Sequence, residues 1–288
     1  MTRCLTNLPR PFIVAVVTDR EPAAAVATMR LALLDGAHAC EVNLPALGER
    51  DAGELAAVFA ATAAPAYTTA RRRDFMTVYG FAVDELPNWD DEARMERQLA
   101  TVPLGARAID IELDTFDPRP APPLGSTEAA EFAATVGPPA ELSEEPAAVA
   151  RQREAAARVR DLGAEALFSC HTGRPQPTES LVEIAAVARG RGADLVKIVT
   201  PCPTLSDLFA ALDASARLAR ESPIPCTVVG AGAAGDISRV VGVNFGAAWA
   251  IGQQTLVPGG FHPQPLVAHL RETIRLIPWR AEGAVRCG

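Results

Sequence analysis

Short apolar runs alternate with longer alanine-rich stretches along almost the whole chain. The runs at residues 11–17, 38–44, 66–71, 106–113, 164–170, 194–200, 226–229 and 247–251 are continuous enough to predict strands buried on both faces. Between most of them, and after the last, helix-like segments fall at 23–34, 53–63, 90–100, 146–162, 178–188, 205–219, 237–242 and 264–277. Eight strand–helix steps within 288 residues predict an α/β fold, a single-domain (β/α)₈ TIM barrel spanning 1–288. A doubly wound open sheet is the competing architecture. Two stretches break the rhythm. Residues 71–87 form a long connection that opens with Arg71, Arg72, Arg73 and Asp74, and residues 114–146 form a Pro/Ala-rich insertion. The insertion reads as a loop or mobile flap, with 118–125 as its most flexible part.

Charge and composition narrow the partners. The formal charge is −8 with no basic block, and aromatics make up only 5% of the residues, which argues against nucleic acid. The apolar run Phe12–Val17 is too short for a signal core and is followed by Asp19 and Arg20, and no membrane span is visible. Six cysteines show neither a CxxC pair nor zinc-like spacing with histidine. Free thiols in a reducing cytoplasm are the expectation, with a Cys4–Cys287 bridge as the alternative.

One residue type is conspicuous by its scarcity. Of 27 basic residues only Lys197 is lysine, and the other 26 are arginine. Lys197 sits in an apolar strand, where surface charge is not the reason for it. A guanidinium stays protonated, whereas a desolvated lysine can lose its proton and form a Schiff base with a carbonyl. The competing reading is a lysine snorkelling from a strand end.

In a barrel, functional groups gather at the C-terminal strand ends. Glu41 and Asn43 share a face at the end of strand two, Thr69 and Arg71 at strand three, and Asp110 and Glu112 at strand four. Ser169, Cys170 and His171 end strand five, and Arg239 follows strand seven. The turn Gly230-Ala231-Gly232-Ala233-Ala234-Gly235 is a literal GxGxxG. Dinucleotide binding requires an acidic residue about 20 positions further on, and none occurs between Asp236 and Glu272. In a barrel the same amides could hold a carboxylate or phosphate.

These residues together resemble the type I 3-dehydroquinate dehydratases, Schiff-base enzymes of the shikimate pathway of aromatic amino acid biosynthesis. The resemblance is carried by Ser169-Cys170-His171 followed by Pro177, and by Gly192-Ala193-Asp194-Leu195-Val196-Lys197-Ile198 followed by Asp207. Gly235-Asp236-Ile237-Ser238-Arg239 followed by Phe245-Gly246 adds to it, as do Thr69-Ala70-Arg71 and Asp110-Ile111-Glu112. It implies a lyase in which Lys197 forms the iminium and His171 moves the protons. Arg239 would bind the substrate carboxylate, and Glu41, Arg71, Asn43, Ser169 and Gly260 would complete the substrate shell. The implied substrate is a small carboxylated ketone, with no metal or dissociable cofactor beyond the covalent Schiff base. Barrels of this family often pair, so the resemblance also implies a homodimer.

The departures are local. The family's Glu-x-Arg-x-Asp on strand two is here Glu41-Val42-Asn43-Leu44-Pro45, and the glutamate that orients the catalytic histidine is replaced by Phe75, with Asp74 as the adjacent substitute. The turn after strand seven is about two residues longer. The lid's Ser-x-Pro-Gly-Gln becomes Leu256-Val257-Pro258-Gly259-Gly260, which predicts a lining of Leu256, Val257 and Phe261, with His262 or Gln264 reaching in. Three functions follow: dehydration of 3-dehydroquinate or a related cyclic keto acid; a Lys197 iminium enzyme for C–C lysis, condensation or cyclisation of another substrate; and a non-catalytic barrel binding protein.

Overall fold

A computed structural model of the protein describes residues 4–256 and 263–281. Eight strands run parallel: β1 (Phe12–Val17), β2 (Ala39–Asn43), β3 (Ala66–Thr69), β4 (Ala108–Glu112), β5 (Glu165–His171), β6 (Leu195–Pro201), β7 (Cys226–Ala231) and β8 (Trp249–Gln253). Their order is β7-β6-β5-β4-β3-β2-β1-β8. The seam between β7 and β8 is joined by Ala248 N–H donating to Cys226 C=O at 2.9 Å and by Thr227 Oγ1 donating to Trp249 C=O at 2.6 Å. The sheet is a parallel barrel of alternating strands and helices.

The helices are α1 (Pro22–Leu34), α2 (Leu44–Leu47), α3 (Ala52–Phe59), α4 (Asp91–Thr101), α5 (Thr127–Ala133), α6 (Pro146–Asp161), α7 (Thr178–Gly190), α8 (Leu205–Glu221), α9 (Ser238–Val241) and α10 (Val267–Leu276). β2 ends one residue sooner than its apolar run suggests. Pro45 sits in the first turn of α2, where its fixed φ and missing N–H favour a helix start.

The period of two along each strand divides the side chains cleanly. Ile109, Ile111, Phe168, Cys170, Val196, Ile198 and Val228 face outward and pack with helix residues such as Leu99, Ala156, Leu181 and Leu212. Phe12, Val14, Tyr67, Leu167, Leu195 and Trp249 fill the barrel interior, and Leu5 joins them. Glu165 at the start of β5 accepts the Leu5 N–H at 2.7 Å and so ties the N-terminal segment to the barrel. The inward parity then delivers Glu41, Thr69, Asp110, Glu112, Ser169, His171 and Lys197 to the opposite end.

The insertion is more structured than a bare loop. Ser126 caps α5 by accepting Ala129 N–H at 3.0 Å. Asp74 accepts Leu124 N–H at 2.9 Å, and Asp114 accepts Ala121 N–H at 3.1 Å, so the stretch 118–125 is pinned at two points. Beyond α5 the chain runs back along the strand ends. Ala140 N–H donates to Thr172 C=O at 2.9 Å, Glu141 N–H to His171 C=O at 3.3 Å and Ser143 N–H to Leu113 C=O at 3.0 Å. No helix among the described residues is long and apolar enough to cross a membrane.

Candidate active site

Lys197 points into the barrel from the middle of β6 and is buried. Its Nζ donates to Glu41 Oε2 at 3.2 Å and to Asp110 Oδ2 at 3.4 Å. Burial by itself favours the neutral amine, but Glu41 and Asp110 outweigh it and hold the ammonium above the ordinary lysine value. Burial alone therefore does not free this lysine of its proton, contrary to the simplest reading of a lysine in an apolar strand. Glu41 also accepts a hydrogen bond from the Tyr67 hydroxyl.

His171 ends β5, one inward position above Ser169, the residue in register with Lys197. Its Nδ1 lies 2.9 Å from Glu141 Oε2, and the same oxygen accepts the His171 backbone N–H at 2.7 Å. A carboxylate at Nδ1 selects the tautomer that leaves Nε2 as the lone-pair nitrogen. Burial and the nearby Arg71 guanidinium push the imidazole below the ordinary histidine value despite Glu141, so it is neutral near pH 7. Burial opposes ionisation of Glu141 in turn, but His171 and Arg71 hold its carboxyl below the usual range. The expectation that Asp74 takes the orienting position is corrected: its carboxylate is on the Leu124 amide. Phe75 packs against the His171 ring, with centroids 4.8 Å apart.

Arg71 and Ser169, both expected in the substrate shell, are buried against each other. Arg71 donates to Glu112, to Glu141 at 3.3 Å and to Ser169 Oγ at 2.8 Å, and lies 3.6 Å from Asp110. Arg94 of α4 donates to the other oxygen of Glu112, to Ala70 C=O at 2.7 Å and to Asp91 at 2.6 Å. Burial disfavours the charge on Glu112, but the two arginines hold its carboxyl well below the usual range. A guanidinium facing this many buried acceptors balances buried negative charge in the fold. Arg71→Ala would leave buried carboxylates uncompensated and should destabilise the fold by about 3–5 kcal/mol, read as a lower denaturation midpoint.

Three buried carboxylates, Glu112, Asp114 and Glu141, bring oxygens within 4.8 Å of one another, the closest approach to a metal-ligand set among the described residues. Each already faces an arginine: Arg71 and Arg94 at Glu112, Arg72 at Asp114, Arg71 at Glu141. The guanidinium groups occupy the role a cation would take.

The glycine-rich turn also closes on itself. Gly230 N–H donates to Ser238 Oγ at 2.7 Å and Gly232 N–H to Asp236 Oδ1 at 3.0 Å. Ala234 N–H reaches Cys202 C=O at 3.1 Å and Gly235 N–H reaches Gly232 C=O at 2.9 Å. An anion cradle of free amides is therefore not what this turn provides. Arg239, 3.8 Å from Asp236, lines the cavity instead. Asn43 is buried, and neither its amide oxygen nor its nitrogen has a protein partner among the described residues.

Lys197, His171, Arg239, Glu41 and Gln264 converge on one cavity of about 280 Å³, whose other walls include Val16, Phe75, Tyr79, Val199, Val229 and Ile251. Gly260 lies outside the described residues, as do Val257, Phe261, His262 and Cys287. Leu256 is exposed and does not line this cavity. Tyr79 and Glu141 are additions the sequence did not single out. The insertion carries Glu128, Glu131, Glu141, Glu144 and Glu145, and no local pattern separates Glu141 from the rest.

An amine beside a neutral, carboxylate-held imidazole and an arginine can form an iminium, move a proton next to it and hold an anion. Residues 141–278 match the family model of type I 3-dehydroquinase. Over that stretch the chain is similar to the type I 3-dehydroquinases. A 3-dehydroquinate dehydratase of Geobacillus thermodenitrificans is 34% identical over 103 residues, covering 35% of this chain and 40% of the relative. One from Aromatoleum aromaticum is 29% identical over 109 residues, covering 37% and 42%. The matched stretch thus spans about two fifths of the length of these curated relatives. The crystal structure of 3-dehydroquinate dehydratase from Geobacillus kaustophilus superposes with a TM-score of 0.70 at 17% identity, over 96% of each chain. At that identity the likeness establishes the barrel. The dehydroquinase match begins at Glu141, so Lys197, His171 and Arg239 fall inside it, and the altered strand two and Phe75 fall outside.

Proposed function

We propose that the protein is a Schiff-base lyase that removes water from 3-dehydroquinate or a related cyclic β-hydroxy keto acid. The observation that carries this reading is the shared cavity of Lys197, Glu141-held His171 and Arg239. Arg239 binds the substrate carboxylate through its planar fork. The Lys197 ammonium gives up a proton, with Glu41 Oε2 at 3.2 Å as the acceptor within reach. The free amine adds to the ketone, and the carbinolamine hydroxyl leaves as water with that proton. The resulting iminium is the electron sink, so the chemistry asks for no metal or dissociable cofactor. His171 Nε2 removes a proton from the carbon next to the iminium, and the C–H electron pair forms an enamine. The enamine pair then expels the β-hydroxyl, which takes the proton from His171 and departs as a second water. Addition of water to the unsaturated iminium releases the enone and restores the Lys197 ammonium. The net change is loss of one water from the substrate.

Asn43, whose amide atoms have no partner among the described residues, would meet a substrate hydroxyl. Gly260, the homodimer and a cytoplasmic location belong to the same proposal. The second reading keeps the Lys197 iminium on a different ketone. The apolar walls Val16, Phe75, Val199, Val229 and Ile251 favour it.

Borohydride reduction with 3-dehydroquinate, followed by intact mass and peptide mapping, tests the reading. A reduced adduct on Lys197 with enone formation in unreduced samples is expected. An adduct without enone would move the assignment to the second reading. Enone formation with no Lys197 adduct would overturn the iminium mechanism.

A further inference from the structure

A second cavity of about 330 Å³ opens between the barrel and the insertion. It shares Phe75, Leu124, His171 and Gly173 with the Lys197 cavity, so the two meet around the imidazole. Either space alone is near the small end of ligand pockets, which begin at about 300 Å³. Small side chains create the second one: Ala129, Ala130 and Ala133 of α5 face it, opposite Ala140. Each of its charged groups already has an ionic or hydrogen-bond partner. Glu112 is held by Arg71 and Arg94, Glu141 by Arg71 and His171, and Asp74 accepts the Leu124 amide; Arg72 is paired with Asp114 through Nη2, and its Nη1 is buried out of reach without a partner among the described residues. What the space offers a ligand is apolar surface.

We propose that this cavity receives an uncharged apolar substituent of the substrate whose carbonyl is on Lys197. The inference rests on the Schiff-base reading and names the substrate class: a keto acid bearing an alkyl or aryl group on the carbon next to the carbonyl. The proton to be moved lies on that carbon, so the carbon must sit against His171. A group attached there is directed past the shared wall of Phe75 and Leu124. Phe75 stands where the resemblance calls for a glutamate, and the carboxylate instead reaches His171 from Glu141. That exchange turns the wall between the cavities apolar.

The test uses the full chain and two probes, 2-oxobutyrate and 2-oxo-4-phenylbutyrate. Each is trapped on Lys197 by borohydride over a range of ketone concentrations and read by intact mass. The wild-type protein should reach half-maximal trapping with the phenyl compound at a concentration at least about tenfold lower. Ala129→Phe, which fills the second cavity, should remove that advantage while leaving 2-oxobutyrate trapping unchanged. The unchanged probe also shows that the variant is folded, and Ala129→Leu should give an intermediate loss. Equal half-saturation for both ketones in the wild type, or an advantage that survives Ala129→Phe, overturns the proposal. Failure of both ketones to modify a wild-type Lys197 that does trap 3-dehydroquinate overturns the subsite alone, and failure with all three ketones overturns the Schiff-base reading and the subsite with it.

Discussion

Lys197→Arg should end catalysis while the protein still folds. The loss in turnover should be on the order of 10⁵-fold, because a covalent nucleophile is removed and nothing nearby replaces it. Arginine preserves a cation between Glu41 and Asp110, which lie 3.2 and 3.4 Å from the lysine nitrogen. Lys197→Ala would lose the same activity, but it also strands two buried carboxylates and should cost about 3–5 kcal/mol of stability. The arginine variant therefore separates chemistry from folding. Borohydride trapping should fall to background, and the circular dichroism spectrum should match the wild type. Lys197 is the only lysine, so the N-terminal amine is the one competing site and peptide mapping resolves it. The direction of the lysine shift adds a pH signature. The neighbouring carboxylates hold the ammonium above its ordinary value, so the rate of iminium formation should climb through the alkaline range. The same raised value stabilises the fold fully below the unfolded lysine pKa, and that contribution is lost as pH rises through the folded one. Full activity in Lys197→Arg would remove the Schiff-base mechanism.

How much of this is visible in the sequence depends on the range of the interaction. The eight strands are legible because burial on both faces leaves apolar runs, and the inward parity of Glu41, Asp110, Ser169 and Lys197 follows from a period of two. Lys197, His171 and Arg239 are legible because each sits in or just beyond a strand within a recognisable local motif. Arg94 is not. An arginine on an amphipathic helix reads as a solvated face, and only the packing of α4 on the barrel turns its guanidinium toward Glu112. Arg71 and Ser169 occupy recognisable positions, but the partners of Arg71 come from β4, the insertion and β5, 41 to 98 residues away in the chain. The glycine-rich turn shows the converse. Its pattern suggests an anion cradle, whereas Asp236 and Ser238 fold back within a few residues and occupy its amides. Asp236 could have signalled this, since it supplies an acceptor four residues beyond Gly232.

Glu141→Gln should lower turnover by about 10²–10⁴-fold while leaving the yield of the Lys197 adduct unchanged. Gln is close in shape, and its oxygen can still accept the His171 backbone N–H. It cannot supply the negative charge that orients the imidazole and stabilises it once protonated. Lys197 donates its hydrogen bonds to Glu41 and Asp110, not to Glu141, so iminium formation has no reason to change. A role limited to folding would lower both readouts together. The acid limb of the rate profile gives a second discriminator. Burial and Arg71 push the His171 pKa down, and Glu141 pushes it up. Removing Glu141 should therefore move the acid limb to lower pH, because the base stays neutral further into acid. Stability should respond in the same variant. Glu141 ionises below the usual carboxylate range in the fold, so its contribution is present above the unfolded pKa and lost as pH falls through the folded one. The Gln variant should lose that contribution near neutral pH and show a flatter decline into acid. Asp74→Asn, which touches the Leu124 amide and not His171, should leave the acid limb in place. A Glu141→Gln enzyme with wild-type turnover and an unmoved acid limb would show that the insertion does not orient the base. The imidazole would then be held by Phe75 and its own backbone, and the insertion would be left with the second cavity as its contribution to the site.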